Sequence, residues 1–84
     1  MRLPRDLSGH ELAKLLRRYS YEAVRQTGSH IRLTSTLRGT THHVTPAHGP
    51  LRVGTREGIL SEIASYLKID RDKLHKELFE NVPS

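Results

Sequence analysis

Residues 21–46 read YEAVRQTGSHIRLTSTLRGTTHHVTP, and the punctuation of this stretch decides the fold. Thr27-Gly28-Ser29 and Arg38-Gly39 are turn signals, because glycine admits the positive φ that tight turns require. They divide the stretch into three β-rich segments: Tyr21–Gln26, Ser29–Leu37 and Thr40–Thr45. Pro46 closes the third, since proline cannot donate to a strand ladder. In the middle segment Ile31 and Leu33 alternate with His30, Arg32 and Thr34, the period of two expected of a half-buried strand. Two glycine-bearing turns predict an antiparallel meander. Ile31 and Leu33 then face a core, and His30 and Arg32 stand on the opposite side or at its rim.

Helices are predicted on either side of this meander. Ser8 and Glu11 form an S-x-x-E capping box, with Leu7 and Leu12 at hydrophobic-staple positions. Leu12, Leu15, Leu16 and Tyr19 follow as one apolar stripe, which leaves Lys14, Arg17 and Arg18 off it. Ala47–Val53 reads as a loop anchored by Leu51. Thr55, after Gly54, is expected to cap a second helix that buries Ile59, Leu60, Ile63 and Leu67. Asp70 is expected to start a third, with Leu74, Leu78 and Phe79 apolar, and Val82-Pro83-Ser84 to fray. The predicted class is α+β in the order α-β-β-β-α-α: a three-stranded antiparallel sheet with helices on one face. Residues 1–84 form one domain with an approximate core of 7–80. A chain this size buries roughly 60–65% of its unfolded surface, which allows one modest core.

The chain carries a formal charge of +5, and that charge is segregated. Leu12–Arg56 holds eight Lys/Arg and a single acid, Glu22, whereas four bases and six acids follow from Glu57 onward. This asymmetry favours a polyanionic partner. There is no cysteine, so disulfides and thiolate metal sites are excluded. No run approaches the ~18 apolar residues of a membrane-spanning helix, and Met1–Asp6 lacks an apolar signal core. The expected location is the cytoplasm, with no membrane partner.

Four of the six histidines lie between His30 and His48. Neighbours His42 and His43 on a strand point to opposite faces, and no carboxylate lies within this stretch, so no metal site and no cofactor are expected. Ser29 and His30 lack the third group of a nucleophile triad. RNA cleavage asks for less, because the substrate brings its own 2′-hydroxyl. The protein must then move a proton and stabilise charge on phosphorus. His30, flanked by Arg32 and near Arg25 across the Gly28 turn, meets those needs. The Gly54-Thr55-Arg56 helix start offers backbone N–H groups to a phosphate. Arg25, Arg32 and Arg56 are the candidate phosphate contacts, with Lys14, Arg17 and Arg18 as a secondary patch. His48 is a candidate second proton carrier or phosphate ligand, and Ser29 adjoins the site. His10 and His75 read as surface residues. Tyr19, Tyr21, Tyr66 and Phe79 do not alternate with the basic strand residues, so no base-stacking platform is expected. On these residues alone, His30 is either a proton carrier or a polar strand residue with no role.

Taken in order, the set Leu15-Leu16, Val24-Arg25-Gln26-x-Gly28-Ser29-His30, Pro46-x-His48, Leu51, Gly54-Thr55-Arg56 and Ile59-Leu60 resembles the HicA family of mRNA-interferase toxins. The resemblance covers about Leu7 to Phe79. The G-S-H step followed by P-x-H and G-T-x-x-x-I-L is specific in combination. It implies a fold like the double-stranded-RNA-binding domain, metal-independent cleavage of mRNA that blocks translation, and His30 as the catalytic residue. It also implies a HicB-type antitoxin that binds the toxin and covers that histidine, as in prokaryotic toxin–antitoxin pairs. The chain departs from the family pattern at three places. Ser20-Tyr21 stands where Gly-Phe is usual, Thr45 where valine is usual, and Arg56-Glu57 where a leucine–arginine pair is usual. Two other readings use the same arginines: a non-catalytic RNA-binding module of the same fold, and a protein-binding adaptor that meets an acidic partner.

Overall fold

A computed structural model describes residues 7–47 and 49–80. Helix α1 spans Gly9–Leu16 and tightens into a 3₁₀ turn at Arg17–Tyr19. Strands β1 (Glu22–Thr27), β2 (His30–Ser35) and β3 (His42–Val44) follow, then helices α2 (Val53–Leu67) and α3 (Arg71–His75). A π-helical turn at Lys76–Glu80 ends the described chain. The strands form one antiparallel sheet in the order β1-β2-β3. The α+β class and the α-β-β-β-α-α order expected from the sequence are those observed.

Helix α1 begins as its sequence demands. The Glu11 N–H donates to Ser8 Oγ at 3.1 Å, and the Ser8 N–H donates to Glu11 Oε1 at 2.9 Å. That backbone bond holds the Glu11 carboxyl below the usual carboxylate range. Leu7 and Leu12 are both buried on either side of the cap. At the other end Ser20 adopts a left-handed conformation at φ 66°, and its N–H closes on the Arg17 carbonyl at 3.0 Å. A side chain pays about 1–2 kcal/mol for that geometry, a cost glycine avoids.

Strand β2 pairs on both sides. Ile31 and Leu33 are buried and His30 and Arg32 exposed, as the alternation predicts. The Thr27–His30 connection is a two-residue hairpin with Gly28 at φ +55°. A bulge at Val24 shifts the β1 register, pairing Ala23 with Leu33 and Arg25 with Arg32. β2 and β3 are shorter than expected because the loop between them is tied elsewhere. The Tyr66 hydroxyl of α2 receives the Arg38 N–H at 2.9 Å and donates to the Thr40 carbonyl.

The core joins Leu12 and Leu16 of α1, Ile31 and Leu33 of β2, Val44 of β3, Leu60, Ile63 and Leu67 of α2, and Leu74, Leu78 and Phe79 beyond it. Tyr21, immediately before β1, is fully buried, and its hydroxyl lies 2.7 Å from His42 Nδ1. Burial pushes the Tyr21 phenol well above its ordinary range. The His42 ring stacks on Tyr66 with centroids 4.8 Å apart.

The start of α2 differs from expectation. The Leu51 N–H donates to the Leu7 carbonyl at 2.9 Å and the Gly9 N–H to the Gly49 carbonyl at 3.0 Å, which pins this segment to α1. The chain then turns directly into helix at Val53, with Arg52 as the cap residue. Thr55 therefore lies inside the first turn rather than capping it. The C-terminal turn is tied back to α1: the Tyr19 hydroxyl donates to the Glu77 carboxylate and Arg18 to the Glu77 carbonyl. Burial, and then the Glu77 carboxylate, push the Tyr19 phenol up to about 12. The expected fraying of Val82–Ser84 falls outside the described residues. Ser20→Gly should raise the stability of the chain by about 0.5–1 kcal/mol in urea denaturation, by relieving the left-handed strain.

Candidate functional site

The sheet has one covered face and one open face. Directly opposed strand residues share a face, so the register assigns the open one row by row. Thr27 lies opposite His30, Arg25 opposite Arg32, and Glu22 opposite Thr34, which in turn lies opposite His43. Arg25, His30, Arg32 and His43 are all exposed. The structure thus brings Arg25 beside Arg32 on the face that carries His30.

His30 is positioned from both sides. Its backbone bridges Ala47, and the Ile31 N–H donates to the Pro46 carbonyl at 2.9 Å. Ser29 Oγ lies 3.5 Å from His30 Nδ1, at the outer limit of a hydrogen bond. A cleft of about 280 Å³ runs from His30 and His43 past Thr45–Ala47 to Thr55, Ile59 and Glu62 of α2. Thr55 lies in the first helical turn, where backbone N–H groups have no partner within the helix and the helix dipole is positive.

His43 is the residue that sequence reasoning missed. Its Nδ1 accepts from Arg32 Nε at 3.4 Å and lies 2.9 Å from Thr34 Oγ1. The signal is the register Thr34↔His43, which depends on how the β2–β3 loop closes rather than on local pattern. His42, its neighbour, faces Tyr21 and Tyr66 on the covered side, so the two histidines do diverge. Among the described residues, no three His, Asp or Glu side chains converge as a metal site would need.

Two expectations are corrected here. Arg56 is 3% exposed and its Nε lies 3.4 Å from Glu57 Oε2, so it is not a surface phosphate contact. The reason is helical phase: Arg56 precedes Leu60, Ile63 and Leu67 at the spacing of the buried stripe. His75 is not a plain surface residue, because its Nε2 lies 2.8 Å from Glu57 Oε1.

The α1 patch is separate from the His30 cleft. Lys14 and Arg17 line a larger opening of about 570 Å³ between α1 and the start of β1, with His10, Tyr21 and Glu22. The two openings share no lining residue. Arg18 is engaged with the C-terminal turn through the Glu77 carbonyl. His48 lies outside the described residues.

No helix of the described chain is long and apolar enough to cross a membrane. Comparison with protein-family models, with curated proteins and with solved structures finds no match to this chain. The likeness to HicA toxins therefore rests on the sequence motifs.

The arginines separate by role, and substitution should show it. Arg32→Ala should leave the urea midpoint almost unmoved, within about 0.5 kcal/mol, as for an exposed site. Arg56→Ala, which strips a buried cation from Glu57, should cost about 2 kcal/mol or more.

Proposed function

We propose that this chain is a HicA-like, cytoplasmic, metal-independent endoribonuclease toxin with a double-stranded-RNA-binding-domain-like fold, neutralised by a HicB-type antitoxin. The observation that carries the reading is the placement of His30. It is an exposed imidazole at the end of a basic sheet face, next to Arg32, lining a cleft that the first turn of α2 also lines. The G-S-H, P-x-H and G-T motifs support it from the sequence.

The chemistry follows from those groups. The ribose 2′-hydroxyl attacks the adjacent phosphorus as its proton passes to a base, and the 5′-oxygen leaves as a proton returns to it. The products are a 2′,3′-cyclic phosphate and a 5′-hydroxyl, so atoms and charge balance without any co-reactant. His30 moves one of those protons, because an imidazole exchanges protons near neutral pH. Arg32 and the α2 first-turn N–H groups supply positive charge where the phosphorane gains negative charge. Ser29 Oγ lies beside Nδ1, and Nε2 is the nitrogen that meets the substrate. Glu62, at the far wall of the cleft, sets a negative limit to where the phosphodiester can run.

The test is His30→Ala, assayed on RNA in the presence of chelator. The variant should keep the wild-type urea midpoint and RNA affinity and lose roughly 10²–10⁴-fold in cleavage rate, the usual worth of a general acid–base residue. Undiminished cleavage removes His30 from the mechanism. RNA binding with no cleavage by the wild-type protein selects the non-catalytic RNA-binding module instead.

A further inference from the structure

The open face carries a conflict that a ligand would resolve. Arg25 and Arg32 are direct cross-strand partners, and both are exposed. Opposed side chains start about 4.5–5.5 Å apart at Cβ, and like charges there destabilise a sheet. Among the described residues, no carboxylate comes within ion-pair distance of either, since both ion pairs belong to Glu57. Glu22, the acid on the same face, pairs one register row away with Thr34.

Arg32 is also held in a particular way. Its Nε donates to His43 Nδ1 at 3.4 Å, and Thr34 Oγ1 supports the same nitrogen at 2.9 Å. With Nδ1 accepting, the His43 proton resides on Nε2. The bond uses Nε of the guanidinium and leaves both terminal nitrogens to bind an oxyanion.

We propose that Arg25 and Arg32 form one clamp on a single phosphate of the bound polyanion, and that His43 is the positioning residue that sets Arg32 in it. The identity of the polyanion as RNA rests on the functional reading above; the clamp itself rests on the register and the His43 contact. His30 and Arg32 are two residues apart on one face, about 6.6–6.8 Å along the strand. Successive phosphates of an extended single strand can match that step. The clamped phosphate is thus the neighbour of the one that faces His30. A phosphate between the arginines replaces their repulsion with two charge-assisted attractions, so the clamp works as a unit.

The experiment measures binding of a short single-stranded oligonucleotide with 2′-O-methyl riboses, which cannot be cut through the 2′-oxygen. Arg25→Ala and Arg32→Ala should each weaken binding about tenfold, the scale of a lost charged hydrogen bond. The double variant should be little weaker than either single one, because both substitutions break the same clamp. His43→Ala should weaken binding roughly threefold in the wild-type background, the scale of a modest hydrogen bond, and not at all in Arg32→Ala. His43→Asn, whose side-chain carbonyl can accept from Arg32 Nε, should restore affinity. No variant should lower the urea midpoint, and loss of either arginine should raise it slightly, as the like-charge pair is relieved. Additive losses for Arg25 and Arg32 would overturn the clamp, as would absence of binding. Wild-type affinity for His43→Ala would overturn the positioning role. Cleavage of the matching unmodified RNA, measured alongside, reports on the nuclease reading separately: a protein that binds as described but does not cut keeps the clamp and loses that reading.

Discussion

Strand β2 is the constraint on which the rest depends, because its period of two ties the chemistry of one face to the packing of the other. It is the central strand, paired with β1 and β3. Its covered face contributes Ile31 and Leu33, buried against residues from every helix. Burying two such side chains contributes about 3–6 kcal/mol, a large share of the roughly 5–10 kcal/mol that holds a domain of this size together. A slip of one residue would expose both and drive His30 and Arg32 into the core. The hydrophobic register therefore fixes which side His30 faces. The Gly28 turn fixes where β2 begins, and the Ile31–Pro46 and His30–Ala47 pairings hold that first residue in place.

The charges divide along the same line. Cations that point toward the helices are consumed in structure: Arg56 by Glu57, and Arg18 by the carbonyl of Glu77. Glu57 also takes His75, and Glu77 takes the Tyr19 hydroxyl, so two acids of the C-terminal segment are spent on internal ties. Cations on the open face keep no acidic partner among the described residues. On the sheet the basic segment read from the sequence comes down to Arg25, Arg32 and the histidines beside them, while Lys14 and Arg17 form a separate patch on α1. A polyanion on the open face, as proposed, would dismantle no contact that stabilises the fold among the described residues.

The architecture was legible because its signals are local. Ser8 and Glu11 sit three apart and can only form a cap, Ile31 and Leu33 alternate with polar residues, and Gly28 admits the turn. His30 and its arginine neighbours were legible for the same reason. Arg56 was legible by phase alone: the helix begins at Val53, three residues before the start that a Thr55 cap implies, and Arg56 precedes Leu60, Ile63 and Leu67 at the spacing of the buried stripe. The remainder depends on long-range geometry. The loop before β3 closes on the Tyr66 hydroxyl from a helix 26–28 residues away in sequence. That closure sets the register that places His43 beside Arg32. That closure leaves no trace in nearby residues. Ser20 is intermediate: its departure from the glycine usual in HicA toxins was visible, and the left-handed φ shows what the departure costs.

The claim that this face cleaves RNA through the substrate's own 2′-oxygen is tested most directly by one paired measurement. An RNA oligonucleotide and its all-deoxy counterpart are incubated with the pure protein and chelator, and the product ends are identified by mass spectrometry. The account predicts that the RNA is cut to fragments ending in 2′,3′-cyclic phosphate and 5′-hydroxyl while the deoxy strand stays intact. Cleavage of both strands, or of neither, would contradict it.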